Sequence, residues 1–149
     1  MYNKVDTNMN FVEREHKIID FWKDKEVFQK SMNARKGGET YTFYDGPPTA
    51  NGKPHIGHVL TRVIKDMIPR YQTMKGRYVP RKAGWDTHGL PVELEVEKLL
   101  GLNGKDQIEE YGMEPFIRQC KESVWKYKGM WEDFSQTVGF WADMDDPYV

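Results

Sequence analysis

The sequence predicts an α/β fold of parallel strands and helices, preceded by a helical extension. Three observations predict it. Tyr41-Thr42-Phe43-Tyr44 is a run of β-branched and aromatic residues, as a short buried strand requires. Asp45 to Pro54 then holds two Gly, three Pro and one Asn, all turn formers. From Ile56 the apolar residues fall at Ile56, Val59, Leu60, Val63, Ile64, Met67, Ile68 and Tyr71, the period of an amphipathic helix. Gly76 stops that helix, and Tyr78-Val79 opens a second short strand. Strand, crossover helix and strand make a right-handed unit, so the two strands are expected to be parallel.

The other elements follow in order. Met1 to Asn10 is polar, and Asn10 is a helix N-cap candidate. A first helix is expected to run to about Phe28, with Phe11, Ile18, Ile19, Phe21, Trp22 and Val27 as a partly buried stripe. His16 on this helix has no assigned role. Ser31 to Glu39, with Gly37-Gly38, reads as a linker. Pro69 lies inside the crossover helix, where it lacks a donor and crowds the preceding turn, so a kink or break is expected near Ile68. Pro91 suits the first turn of a further helix ending at Gly101. Asn103 to Tyr111 is a short helical piece. Pro115 to Phe134 is a long helix with Phe116, Cys120, Val124, Tyr127, Trp131 and Phe134 on its buried stripe, which makes Cys120 a core residue. Gly139 to Val149 is short and acidic, with no element assigned.

Composition narrows the class. The 149 residues suffice for a real core. Lys and Arg number 22 against 23 Asp and Glu, a net charge of −1, so no global charge draws the chain to nucleic acid or membrane. Lys65, Arg70, Lys75, Arg77, Arg81 and Lys82 cluster locally; a solvated helix face is the expected reading, with a phosphate or RNA patch as the alternative. One cysteine excludes an internal disulfide and fits a reducing, cytoplasmic setting. No apolar run reaches membrane length. The Gly-x-Gly-x-x-Gly fingerprint of dinucleotide sites is absent.

The chemistry is expected where the first strand ends and the crossover helix begins. The first N–H groups of a helix lack partners and carry the positive end of its dipole, so phosphates bind there. His55 and His58 share one face of the first turn, and Gly57 between them leaves the backbone bare for a flat ring. Two imidazole donors at such an end suit a nucleoside triphosphate. A His-x-x-His pair can also merely cap and pack, and a zinc pair here has no nearby Cys or further His to complete it. Asp86 follows the second strand and, in a parallel sheet, shares the carboxyl edge with His55. By spacing alone it is equally a cap for the helix ahead of it.

His55-Ile56-Gly57-His58 resembles the signature of the class I aminoacyl-tRNA synthetases, set after the first strand of a Rossmann-type sheet. Phe43 to Gly52 and Gly84-Trp85-Asp86-Thr87-His88-Gly89-Leu90-Pro91-Val92-Glu93 resemble the isoleucyl branch, more than the valyl or leucyl branches. The resemblance implies an ATP-dependent ligase that activates isoleucine and transfers it to tRNA. It implies catalytic and ATP-binding roles for His55 and His58, an adenine-supporting role for Gly57, and an amino-acid pocket from Gly46, Pro47, Trp85 and Asp86. ATP with Mg2+ is the expected substrate complex, with a structural zinc possible only further along. tRNA, isoleucine and ATP are the expected partners, with a monomeric, cytoplasmic full-length enzyme and no membrane. Residues 1–39 are expected to be the helical extension and linker, and residues 40–149 the first half of the catalytic domain, reaching the start of the editing insertion. No Lys-Met-Ser-Lys-Ser loop occurs here, so the stretch alone is expected to be inactive. A piece of a valyl or leucyl enzyme, or a non-catalytic nucleotide-binding or docking module, are the alternatives.

Overall fold

The computed structural model describes residues 2, 4–49 and 52–149. Ala50 and Asn51, part of the loop read as motif above, lie outside the described residues, as do two positions of the N-terminal stretch. The elements in chain order are α1 (Phe11–Asp24), α2 (Val27–Asn33), β1 (Phe43–Tyr44), α3 (Ile56–Met74), β2 (Arg81–Gly84), α4 (Leu90–Leu100), α5 (Lys105–Tyr111), α6 (Met113–Thr137) and β3 (Asp143–Tyr148). The three strands form one parallel sheet in the order β1-β2-β3. Phe43 pairs with Arg81 and Tyr44 with Lys82, and a bridge from Thr40 to Tyr78 extends the first pairing backwards. The α/β class and the parallel β1–α3–β2 unit are as expected.

Four expectations are corrected. The first helix ends at Asp24, because Glu26 adopts φ 50, a left-handed conformation that closes α1 and opens α2, which runs from the end of the expected first helix into the expected linker. Asn10 does cap α1, its side chain accepting from the Glu13 N–H at 3.2 Å. α3 is not broken at Pro69. The proline is fully buried, its ring filling space beneath the helix, and the Thr73 hydroxyl donates to the Pro69 carbonyl at 2.8 Å. The second strand proper starts at Arg81, two residues after Tyr78-Val79. Asp143–Tyr148 is a third parallel strand, where no element was expected.

That third strand is held by what flanks it. Phe140 and Ala142 are buried with Ala83 of β2, while Met144 of the strand itself packs between this cluster and the neighbouring aromatic one. The Tyr148 ring lies so close over Gly84 that a Cβ there would collide with it, and the Tyr148 hydroxyl donates to the Asp45 carbonyl. One tyrosine thus crosses the central strand and fixes the end of β1. A further core joins Trp85 to Tyr127 and Trp131 of α6, and another joins Val92 of α4 to Val124, with Cys120 against it. Burial pushes the Cys120 thiol up from its ordinary range, as suits a packing residue.

α3 rests on the sheet through its charged side. Arg62, Asp66 and Pro69 are its buried residues, whereas Ile56, Leu60, Val63, Ile64, Met67, Ile68, Tyr71 and Met74 are exposed. Asp66 accepts from Arg70, from Arg81 at 3.4 Å and from the Trp141 N–H at 3.1 Å. The Arg70 guanidinium lies 3.7 Å from the Trp141 ring centroid, and its other end donates to the Gly139 carbonyl at 2.7 Å. The basic run is therefore mostly not a solvated face. Arg81 is 2% exposed, and burial pushes its pKa down to about 10, still charged at neutral pH. Lys65, Arg70, Arg77 and Lys82 are all ion-paired.

Candidate active site

The loop after β1, the first turns of α3 and one side chain of α6 line a cavity of about 460 Å³. The loop contributes Gly46, Pro47, Pro48, Thr49, Gly52 and Lys53. The helix contributes His55, His58, Thr61, Arg62 and Lys65 at successive turns of one face, and α6 contributes Trp131. Three cations and two histidines line the cavity, and no carboxylate does. A larger cleft of about 870 Å³ lies between α4, α5 and α6; Thr87, His88, Gly89, Val92 and Glu93 line it, but none of Gly46, Pro47, His55, Gly57, His58, Trp85 and Asp86 does.

The histidines cap the helix and still face outward chemically. His55 is the N-cap, and its Nδ1 accepts from the Gly57 N–H at 3.1 Å. The His58 Nδ1 accepts from the His55 N–H at 3.0 Å. An Nδ1 that accepts carries no proton, so each neutral ring holds its proton on Nε2. Among the described residues neither Nε2 has a partner, which leaves two N–H donors at a helix N-terminus. The rings lie 3.9 Å apart between centroids. Burial, the neighbouring His55 and the Arg62 charge hold the His58 pKa below its ordinary value, which keeps that ring neutral. Gly57 serves this arrangement directly. A Cβ there would lie 3.0 Å from the His55 ring, so the bare backbone accommodates His55 itself.

Beneath the pocket lies Asp45, 1% exposed. Arg62 donates to one carboxylate oxygen at 2.6 Å and Lys65 to the other at 2.8 Å. Arg62 also sits 4.3 Å from the Phe140 ring centroid and 5.7 Å from that of Trp131. Trp131 joins the parts. Its Nε1 donates to the Gly52 carbonyl at 3.0 Å, and its ring meets His58 edge-on at 4.7 Å. One side chain from α6 thereby braces both the loop and a histidine.

The structure brings Gly46, Pro47, His55 and His58 to one cavity. Gly57 supports His55 from below. Asp86 stands at the end of β2, its carboxylate accepting from the Thr49 hydroxyl at 3.1 Å and its N–H donating to the Pro48 carbonyl at 3.2 Å. It is not the cap of α4, which is Gly89. Trp85 is 3% exposed and packs behind Trp131 rather than in the cavity wall, so it does not close the pocket directly. Sequence reasoning gave Asp45 and Arg62 no role, named Lys65 only within a basic cluster and read Trp131 only as a core residue. The spacing of His58, Arg62 and Lys65 on one helical face was readable; the approach of Trp131, 79 residues from Gly52, was not.

Comparison with known proteins shows the family. Residues 17–149 match the model of the tRNA synthetases class I (I, L, M and V). The chain belongs to the class I tRNA synthetases. Over its whole length it is 66% identical to isoleucine–tRNA ligase of Clostridium novyi, and 60% identical to that of Clostridium tetani, covering 14% of each of those proteins. It is 57% identical over 146 residues to isoleucine–tRNA ligase 2 of Bacillus cereus, again 14% of that protein. The chain thus spans about one seventh of the length of the curated synthetases it matches. Among solved structures, the LeuRS of Agrobacterium radiobacter in ternary complex with tRNA and LeuAMS superposes with a TM-score of 0.65 at 20% identity, covering 91% of this chain and 15% of that one. That likeness supports the class I fold. No described helix is long and apolar enough to cross a membrane.

Proposed function

We propose that these residues belong to an isoleucine–tRNA ligase and build the ATP- and isoleucine-holding corner of its activation site. One observation carries the reading. A helix N-terminus, two histidine donors and three cations surround a cavity without a carboxylate, beside an aspartate at the end of β2 whose side chain accepts from the Thr49 hydroxyl. Identity of 57–66% to isoleucine–tRNA ligases supports the choice of amino acid.

In this reading the isoleucine carboxylate attacks the α-phosphate of ATP in line, and pyrophosphate leaves. The attacking group is already a nucleophile, so the site must position and stabilise charge rather than abstract a proton. His55 and His58 donate from Nε2 to phosphate oxygens as charge builds there. Gly57 keeps that ledge open for the adenine side. Gly46 and Pro47 line the amino-acid side, and Asp86 pairs with the substrate ammonium. Trp85 acts on that pocket only through Trp131. Among the described residues no three His, Cys, Asp or Glu side chains converge to hold a metal. Mg2+ enters on ATP as the substrate complex.

Residues 1–39 act as a helical extension and linker, and residues 40–149 as the first half of the catalytic domain. Trp22 of α1 meets Trp141 at 5.1 Å between centroids, which supports a bracing role for the extension. Transfer to tRNA(Ile), a cytoplasmic location and a monomeric ligase complete the reading. The test is a chimaera in which these 149 residues replace the matching segment of the Clostridium novyi ligase. Isoleucine-dependent pyrophosphate exchange near the parent rate is expected. Exchange driven better by valine or leucine contradicts the isoleucine assignment. No exchange with any amino acid favours a non-catalytic module.

A further inference from the structure

We infer that Lys65 is a positioning residue for the amino-acid side of the site, acting through the Gly46–Pro47 peptide. The inference rests on the proposed placement of isoleucine against Gly46 and Pro47. Regular pairing of the first strand breaks after the Asp45 N–H, which donates to the Lys82 carbonyl at 2.9 Å, and resumes at Pro48 and Thr49, where the Asp86 N–H donates to the Pro48 carbonyl at 3.2 Å. Beyond Asp45 come Gly46, which has no side chain, and two prolines, which have no N–H. The Gly46–Pro47 peptide lies in the gap between these two pairings, with no backbone hydrogen bond to the second strand among the described residues. Among the described residues, the Gly46 carbonyl has one hydrogen-bond partner, the Lys65 amine at 2.7 Å.

The same amine donates to Asp45 at 2.8 Å, so Lys65 ties the last paired residue of the strand to the first unpaired one. Its partner cation is placed differently. Both line the cavity, but Arg62 is 4% exposed and packs between Phe140 and Trp131, whereas Lys65 is 33% exposed. Gly46 lies directly beneath it: a Cβ on that residue would have the Lys65 amine as its nearest neighbour, at 3.8 Å. Lys65 shares the Asp45 carboxylate with Arg62, so part of its charge remains for a phosphate, but it alone of the two cations also holds the Gly46 carbonyl. Its effect falls on the orientation of one peptide, and therefore on isoleucine more than on ATP.

The experiment is pyrophosphate exchange in the chimaera described above, with Lys65→Met, which keeps the apolar stem and removes the donors. The expected result is a rise of about tenfold in KM for isoleucine, with kcat and KM for ATP within about twofold. Lys65→Arg restores charge and donors and should recover most of the loss. Thermal melting of each variant separates positioning from folding, and Lys65→Gln is read in the same way if Lys65→Met is insoluble. Equal rises in both KM values overturn the inference. So does a fall in kcat and melting temperature with isoleucine KM unchanged. If the unsubstituted chimaera shows no isoleucine-dependent exchange, the reading of the site itself fails, and the role of Lys65 fails with it.

Discussion

His55 and His58 show how a structural and a chemical role coexist in one side chain. Their Nδ1 atoms are spent on capping, which fixes the tautomer and leaves Nε2–H outward. The bland reading of the pair as caps is correct and incomplete. This arrangement has a pH consequence. His58 titrates below its ordinary value in the folded chain, so the unfolded chain binds the proton more tightly. Stability from this residue is therefore present above the unfolded pKa near 6.5 and is lost as pH falls through that value toward the folded pKa. Protonation also removes the acceptor that caps His55. The melting temperature should fall between pH 7.5 and 5.5, and fall less in His58→Asn, whose amide oxygen keeps a cap without titrating. Equal falls in the two proteins would contradict the assignment of that acid limb to His58.

At the level of elements, α3 departs most from simple patterning. Its apolar period was legible, and so was its N-terminus, but the side it turns to the sheet is polar. A sequence pattern reveals that a helix has two faces; it does not reveal which one meets the sheet when buried carboxylates await the cations. Asp45 and Asp66 supply them, and neither stands out by spacing. α4, ending at Gly101 with φ 70, and the stripe of α6 were legible because cap chemistry and a 3.6-residue period are local signals. β3 was not, since Asp143-Met144-Asp145-Asp146-Pro147-Tyr148 lacks the β-branched residues of a strand. It is held by neighbours distant in sequence. Removing one member of the buried charge cluster should be costly. Asp45→Asn leaves Arg62 buried without a counter-ion, and the expected loss is about 3–5 kcal/mol in urea denaturation. A loss below about 1 kcal/mol would show that Arg62 finds water or another partner.

Across the whole molecule, the exposed stripe of α3 is the largest departure from an ordinary protein surface. Eight large apolar side chains from Ile56 to Met74 lie on one helix with more than 40% of their surface exposed. The 149-residue chain should enhance the fluorescence of an apolar dye, and Leu60→Lys with Met67→Lys should remove most of that signal. An unchanged signal would place the dye elsewhere, for instance in the cleft between α4, α5 and α6.

The proposed activity requires that ATP react at the junction of the β1 loop and α3. The direct measurement is the rate constant of pyrophosphate exchange in the chimaera with His58→Asn. This substitution keeps an acceptor near the Nδ1 position, so the cap and the fold remain, while the Nε2 donor is lost. A fall of about 10²–10³ in kcat, with KM for ATP changed by less than about threefold, is the result expected of a donor that acts as charge develops. An unchanged kcat in a protein that melts normally would contradict the central claim, and His58 would then be a cap alone.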